Sequence, residues 1–254
     1  MAHPSVAVLE YQLVGYRRFW RGTVFSSFVM PVLFFLGMGL AVGEYVDRGG
    51  GLDLPYQQFI GAGLVAFTGV QIAMIESSFP VLGNFKWQRI YYGMAATPLR
   101  VGDMIAGQLG YIGFRIAVAA AAFLLVMIPF GAVTSAWAGL APLVAVLVGL
   151  AVAAPMFAFS ATIESANLQA VMFRFALLPM VLFSGVFFPV GQLPELLRPL
   201  AYALPLWHGV ELCRAAVLGI GTAWPVPVHL GYLGLWVGVG FVLAMARFRR
   251  RLAT

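Results

Sequence analysis

The sequence predicts an all-α polytopic membrane protein with six transmembrane helices, and three observations support this fold class. Of its 254 residues, 62% are hydrophobic and 9% are charged, whereas soluble domains carry about 25% charged residues. Six apolar runs occur along the chain, each near the roughly 20 residues that a spanning helix needs. Lys and Arg are concentrated in alternate connections between these runs. We therefore expect residues 1–254 to form a single transmembrane domain.

The segment before the first apolar run has its own pattern. Within residues 4–21, apolar residues recur at roughly helical spacing, and Arg17, Arg18 and Arg21 lie near the end. This pattern is typical of an interfacial amphipathic helix. The alternative is a long start to the first span, and the sequence leaves both interpretations open.

The six apolar runs are expected to be helices, because lipid leaves every backbone polar group to be satisfied within its own segment. Pro31, Pro155 and Pro179 lie inside three of the runs, where proline favours a kink. The predicted spans cover residues 22–43, 58–82, 104–130, 138–162, 168–189 and 227–246.

The Lys and Arg residues between the runs set the orientation, because these residues favour the cytoplasmic side. With the N-terminus in the cytoplasm, three of them fall outside and ten fall inside. The outside residues are Arg48, Arg198 and Arg214, and the inside residues are Arg17, Arg18, Arg21, Lys86, Arg89, Arg100, Arg247, Arg249, Arg250 and Arg251. We expect both termini to be cytoplasmic, and the net charge of +6 to reflect topology and anionic lipid, with no nucleic-acid partner.

Residues 190–226 are too polar for a span and too apolar for a free loop. Pro194, Pro199 and Pro205 divide them into short pieces. We expect short re-entrant helices on the outer side before the sixth span, because buried helices satisfy their backbone groups internally.

Residues 83–102 form the longest predicted cytoplasmic connection, and they contain "NFKWQRIYYGMAATPLR". The positive-inside rule explains the basic residues, and interfacial anchoring is one explanation for the aromatic ones. The pattern predicts a short helix over residues 85–95 that Pro98 ends before the third span.

Several functional classes lack their motifs in this sequence. A phosphate-binding loop needs Gly-Lys followed by Ser or Thr, and the single lysine, Lys86, stands in "GNFKWQ". Cys213 is the only cysteine, which excludes an intrachain disulfide and a cysteine-rich metal site. We expect no catalytic residue, no metal site and no cofactor in this chain, and hence no enzymatic activity.

Ionisable residues within spans are costly, and they are usually functional or paired. Glu76, Arg115 and Arg174 lie in the second, third and fifth runs, and Glu76 is within reach of either arginine. They predict a structural clamp between helices or the lining of a polar substrate cavity, with snorkelling as a further alternative for Arg174. His208, Glu211 and Arg214 share a helix face by their spacing and predict a hydrogen-bonded stripe.

These features resemble the membrane subunit of an ABC exporter of the second type, a group that includes NodJ-like and DrrB-like permeases. The resemblance covers nearly the whole chain, and its most specific part is residues 183–219. A second match is the basic, aromatic connection that ends in Thr97, Pro98 and Leu99. The residues that match the C-terminal signature are Phe183, Ser184, Gly185, Phe188, Pro189, Leu193, Pro194, Pro205, Leu206, Glu211 and Arg214.

The resemblance implies that two permease chains pair, as a homodimer or a related heterodimer, and that each docks a separate ATPase subunit, which binds ATP and Mg. It implies a bacterial inner-membrane location and a coupling segment at residues 83–102. The implied ATPase-coupling residues are Phe85, Lys86, Trp87, Arg89, Tyr91, Tyr92, Thr97 and Pro98. The implied outer gate comprises Phe187, Phe188, Pro189, His208, Glu211 and Arg214.

The expected function is therefore export of an amphipathic drug, lipid or lipid-linked glycan. The short outer connections favour a small amphipathic or lipid-like substrate. An energy-independent channel or a secondary carrier is the alternative, although such carriers usually show inverted repeats and none is visible in this sequence.

Overall fold

A computed structural model describes residues 3–50, 52 and 54–253, and in this part of the chain every regular element is a helix. The α-helices are α1 Pro4–Phe34, α2 Gly43–Arg48, α3 Tyr56–Ser77, α4 Phe79–Lys86, α5 Ile90–Ala95, α6 Val101–Met127, α7 Ala141–Ser160, α8 Ala166–Phe183, α9 Arg198–Ala203, α10 Pro205–Leu218 and α11 Val226–Leu252. A π-helical segment, Phe35–Val42, joins α1 to α2. Short 3-10 helices cover Ile128–Phe130, Ala136–Leu140, Val190–Gln192 and Glu195–Leu197.

Helix α1 runs without a break from Pro4 to Phe34. Its 31 residues span about 46 Å at 1.5 Å per residue, which exceeds the roughly 30 Å hydrocarbon core of a bilayer. Residues 4–21 are therefore not a separate helix, and their interfacial position stays a prediction. The side chains of residues 23–28, 30 and 40 in the first predicted span, 22–43, lie outside the described residues.

Five helical stretches are long and apolar enough to cross a membrane among the described residues: Tyr56–Lys86, Val101–Phe130, Ala136–Ser160, Ala166–Phe183 and Val226–Leu252. They overlap the second to sixth predicted spans, with ends that differ by a few residues. Helices α1, α7 and α8 continue through Pro31, Pro155 and Pro179.

Helix α7 lies at the centre of the bundle, against α3, α6, α10 and α11. Glycine allows two of these approaches. A Cβ atom at Gly69 of α3 would stand 2.3 Å from the Ala145 carbonyl oxygen of α7, and one at Gly240 of α11 would stand 2.5 Å from the Pro155 ring. Small residues therefore let α3 and α11 pack directly on the backbone of α7, as in other membrane bundles.

The predicted outer region, 190–226, folds into two 3-10 turns, α9 and α10. Helix α10 is mostly buried and packs against α3, α7 and α11. Gly209 permits this, because a Cβ there would lie 2.8 Å from the Val148 side chain. The depth of α10 in the membrane stays a prediction, but its burial fits a helix inserted among the spans.

Candidate functional site

The connection between α3 and α6 forms two short helices, α4 and α5, with a sharp turn between them. Helix α4 ends at Lys86, and Arg89 has a left-handed φ of 53° immediately before α5. The amide groups of Trp87 and Gln88 both donate to the Gly83 carbonyl at 2.9 Å, which closes α4. The prediction of one helix over 85–95 is therefore wrong, because Trp87–Arg89 interrupt the helix between α4 and α5.

This turn divides the predicted coupling residues into an inner and an outer set. Phe85 and Tyr91 are 2% and 0% exposed, so they belong to the core. Lys86, Trp87, Arg89, Tyr92, Thr97 and Pro98 are exposed. The outer set can contact a partner directly, whereas Phe85 and Tyr91 can act only as its base.

Tyr91 fixes α5 to the start of the next span. Its hydroxyl donates to the Oε1 atom of Gln108 on α6 at 2.7 Å. Burial raises the pKa of Tyr91 well above its ordinary value, so the hydroxyl stays protonated and remains a donor at physiological pH.

The end of α11 packs against the buried side of the connection between α3 and α6. Phe248 is fully buried and its ring lies 4.8 Å from that of Phe85 and 5.0 Å from that of Tyr91. The Arg251 guanidinium lies 4.4 Å from the Phe85 ring centroid, within the range of a cation–π contact.

Arg251 also satisfies backbone groups at the end of α7. Its Nη1 atom donates to the carbonyl oxygens of Ser160, Ala161 and Ile163 at 3.3, 3.1 and 2.9 Å. The final carbonyls of a helix have no partner within the helix and carry partial negative charge, so a cation is favoured there. Lys86 adds a bond from Nζ to the Glu164 carbonyl at 2.9 Å.

The sequence did not single out Phe248, Glu164 or a structural role for Arg251. The terminal "RFRRR" was interpreted as a topology signal alone. The one available cue was Phe248, an aromatic residue among arginines. We call the exposed residues Lys86, Trp87, Arg89 and Tyr92 the coupling surface, and Phe85, Tyr91, Phe248 and Arg251 its base.

Thr97 and Pro98 lie just beyond α5. The Thr97 hydroxyl donates to the Met94 carbonyl at 2.6 Å and closes the last turn. Pro98 then precedes Arg100, where a capping box with Asp103 begins α6. Both residues thus shape the approach to the third span.

Within the bundle, Glu76 of α3 pairs with Arg115 of α6. The side chains are 20% and 8% exposed, so the pair is largely shielded from its surroundings. Of the two partners open to Glu76 in the sequence, the structure selects Arg115. Arg174 lies on an exposed part of α8.

A polar cavity of about 240 Å³ adjoins the Glu76 carboxylate. Side-chain amides line it from three helices, namely Gln12 of α1, Asn84 of α4 and Gln108 of α6. Glu76 therefore links α3 to α6 through Arg115 and also lines a polar cavity. The prediction that a substrate enters this cavity stays a prediction.

On the predicted outer side, Arg214 of α10 ties three elements together. Its Nη2 atom donates to the Gly185 carbonyl, and its Cζ atom lies 3.7 Å from the Phe59 ring centroid. Gly185 has a φ of 76°, which favours glycine. Glu211 lies 3.8 Å from Arg214 and accepts a 2.9 Å bond from the Ala223 amide.

His208 is directed away from this network. Its Nδ1 atom lies 2.8 Å from the Nδ1 atom of His229 on α11, and its Nε2 atom lies 3.0 Å from the Tyr202 carbonyl oxygen. The predicted stripe of His208, Glu211 and Arg214 is therefore two separate networks on one helix. The sequence did not single out His229, because α10 and α11 meet only in the fold.

The remaining residues of the predicted outer gate, Phe187, Phe188 and Pro189, are half-buried and follow the end of α8. The Phe187 carbonyl accepts a 3.1 Å bond from the Tyr56 hydroxyl, and the Phe187 ring lies 5.9 Å from that of Phe34. Phe188 packs on the small cluster around Trp207. Pro189 leads into the first 3-10 turn.

Comparisons with known proteins decide what kind of bundle this is. The family model described as ABC-2 type transporter matches residues 5–218. The chain belongs to the ABC-2 type transporter family. It is a permease subunit, a multi-pass bacterial membrane protein of ABC transport, and its family implies association with an ATP-binding subunit.

The chain is also similar over nearly its full length to curated relatives. It is 29% identical over 250 residues to nodulation protein J of Rhizobium leguminosarum bv. trifolii, which covers 97% of this chain and 93% of the relative. It is 28% identical over 253 residues to nodulation protein J of Neorhizobium galegae, with 97% and 93% covered. For the protein of that name from Bradyrhizobium diazoefficiens, the values are 27% over 263 residues, with 99% and 95% covered.

Proposed function

We propose that this permease exports an amphipathic molecule from the cytoplasm or the inner leaflet of the bacterial inner membrane, driven by a separate ATPase subunit. The observation that carries the proposal is the construction of the coupling surface. Its exposed cationic and aromatic side chains lie over a buried base, and this base is fixed by contacts with the end of α11 and the end of α7. A force applied at α4 and α5 would therefore reach the spans without first deforming the connection.

The ATPase subunit binds ATP and Mg and docks on Lys86, Trp87, Arg89 and Tyr92. Trp87 is 60% exposed and Tyr92 is 38% exposed, and aromatic residues with Arg are the types enriched at the centres of protein interfaces. Phe85 and Tyr91 keep the role of a rigid base.

Two permease chains are proposed to pair through α8. Its exposed large side chains are Leu168, Val171, Phe175, Leu178 and Leu182, a series with alternating spacings of three and four residues. That spacing is typical of the contact face, or seam, between two helices packed side by side. Arg174 flanks this seam, where it would lie beside a path between the two chains.

The substrate is proposed to be small and amphipathic or lipid-like. The family resemblance supports this class, and the connections on the outer side are short. The polar cavity beside Glu76 supports it as well, because it places hydrogen-bonding groups near the inner leaflet while the exposed faces of α8 and α11 are apolar.

A reconstitution with the ATP-binding subunit tests docking. The variant Lys86→Ala/Arg89→Ala/Tyr92→Ala is expected to weaken association about tenfold or more and to reduce ATP-driven transport in vesicles in proportion. The charge-matched control is Arg17→Ala/Arg18→Ala/Tyr45→Ala, which also removes two cationic side chains and one tyrosine, from exposed sites elsewhere. Equal association of both variants and the native protein would refute the assignment, and transport without ATP would favour a channel or carrier.

Cysteine cross-linking in membranes tests pairing. Leu178→Cys and Phe175→Cys, which are exposed, are expected to give a cross-linked dimer, whereas Leu64→Cys, at 0% exposure, is not. The native Cys213 is itself 0% exposed and supplies little background. Absence of a dimer at both α8 positions would exclude an α8 seam.

A further inference from the structure

Two adjoining cavities open at the end of α11, beside the coupling surface. One has a volume of about 520 Å³ and is lined by Phe85, Lys86, Arg89, Tyr92, Glu164 and Arg251. The other has a volume of about 370 Å³ and is lined by Ala161, Thr162, Glu164, Arg247, Arg250 and Arg251. They share Glu164 and Arg251 as lining residues, so they lie side by side, and we call the two together the basic recess.

The charges of the basic recess are unbalanced. Among the described residues that line it, five side chains are cationic and one, Glu164, is a carboxylate. Lys86 and Arg251 already donate to backbone carbonyls. Arg247 and Arg250 are exposed, and within the described part of the chain neither has a carboxylate within 4.0 Å. An anion is therefore the ligand that this recess would attract.

The face of α11 leading to the recess is apolar. Leu235, Val239, Val242 and Leu243 are 63%, 50%, 58% and 46% exposed. They recur at helical spacing, so they form one stripe that ends a turn before Arg247 and Arg250. At 1.5 Å per residue the stripe from Leu235 to Leu243 is about 12 Å long, which is comparable to the half-thickness of a hydrocarbon core of about 30 Å.

The basic recess and the apolar stripe of α11 together match the charged headgroup and the apolar chain of a phospholipid. An acyl chain fits along the apolar stripe, and a phosphate at its end reaches the arginines. We propose that the basic recess binds the headgroup of an anionic phospholipid, with one chain along α11. A soluble anion or an acidic protein segment would use the charges but would leave the stripe without a role. Basic pockets between spanning helices on the cytoplasmic side are known to suit anionic headgroups.

The proposal rests on the membrane location of the chain and not on the docking or transport proposed above. Purified permease without an ATP-binding subunit is incubated in detergent with equal amounts of phosphatidylglycerol and phosphatidylcholine, and retained lipid is quantified by mass spectrometry. The native protein is expected to retain phosphatidylglycerol about tenfold over phosphatidylcholine, since each basic residue that faces the headgroup in the recess contributes a several-fold preference.

Arg247→Gln/Arg250→Gln is expected to lose most of this preference, to about twofold or less, and Arg247→Lys/Arg250→Lys to keep it. The charge-matched control Arg17→Gln/Arg249→Gln alters arginines that line neither cavity and is expected to retain the native preference. Equal retention by the two Gln variants, or no preference in the native protein, would overturn the site.

Inorganic phosphate separates a headgroup site from a free-anion site. Added at about 10 mM, phosphate is expected to leave lipid retention nearly unchanged, because it lacks the chain that binds the stripe. Complete displacement would show a soluble-anion site and overturn the lipid assignment. Docking of the ATP-binding subunit, measured in phosphatidylcholine alone, reports on the coupling surface independently.

Discussion

Helices α3 and α8 are equally apolar but sit in different surroundings. The span that joins α3 to α4 and the span of α8 both have a mean hydropathy of 1.6, yet 83% of the first window is buried and 11% of the second. Hydropathy therefore indicates that a helix enters the membrane. It does not indicate whether the helix meets protein or lipid.

The difference lies in residue size. Helix α3 carries Gly61, Gly63 and Gly69, where a Cβ would lie 2.7 Å from the Met127 methyl group, 3.0 Å from the Val186 carbonyl and 2.3 Å from the Ala145 carbonyl. Helix α8 has no glycine and presents a bulky apolar seam. In a solvent as apolar as the protein interior, close packing decides which helices associate.

The largest expected effect breaks the close approach of α3. Gly69→Leu should displace α7, because no rotamer removes the clash of its Cβ with the Ala145 backbone. We expect a destabilisation of about 3 kcal/mol or more and a large loss of monodisperse protein in fluorescence-detected size exclusion. Gly234→Leu, at a position with open space, should leave the yield unchanged. Equal yields of both variants would contradict the packing described.

A second test compares the two arginines that lie within predicted spans, Arg115 and Arg174. Arg115→Met leaves Glu76 without its partner and should cost about 3 kcal/mol, measured by unfolding in mixed micelles. Adding Glu76→Gln should recover part of that loss. Arg174→Met on the exposed face of α8 should change stability by less than about 0.5 kcal/mol. A comparable loss for Arg174→Met would mean that α8 is packed within the single chain.

Leucine truncation gives a smaller contrast. Leu64→Ala removes a fully buried side chain from α3 and should cost about 2 kcal/mol through lost packing. Leu178→Ala, at 58% exposure, should leave the free energy of unfolding of the monomer nearly unchanged. It should instead weaken the dimer, measured by fluorescence energy transfer between labelled chains in vesicles, and a silent result there would argue against the α8 seam.

The smallest effect concerns a buried hydroxyl. Thr68 is fully buried and donates to the Leu64 carbonyl of its own helix at 2.8 Å. Thr68→Val keeps the shape and removes only this local bond, so we expect a change below about 1 kcal/mol. Val171→Thr on α8 is the reciprocal change at an exposed position. Thermal unfolding of the two variants should differ little from that of the native protein.

Much of the architecture is local and was predictable. The second to sixth predicted spans overlap the five apolar helices because length and composition decide membrane insertion. The pairing of Glu76 was restricted to two partners because charges within spans rarely stay unpaired. Six of the predicted coupling residues are exposed, which fits a docking role, and that role stays a prediction.

The features that sequence reasoning missed depend on distant contacts. The helix break at Arg89 occurs in a stretch, Trp87–Arg89, that contains no glycine or proline to predict it. Phe248 and Arg251 gain their roles only when α11 returns to α7 and α4, and His229 when α11 meets α10. Hydrophobic periodicity describes one helix at a time, so it cannot assign such partners.

The role of Arg251 also sets the order in which the protein can be completed during synthesis. The carbonyl groups that it binds lie 88 to 91 residues earlier, so a ribosome adding 5–20 residues per second reaches Arg251 roughly 4 to 18 s after them. Until then α4 and α5 lack their contacts with Phe248 and Arg251. The connection between α3 and α6 therefore gains its contacts with Phe248 and Arg251 only after α11 has been synthesised. Under the docking proposed above, a partner subunit would meet the complete surface only on a chain that includes α11.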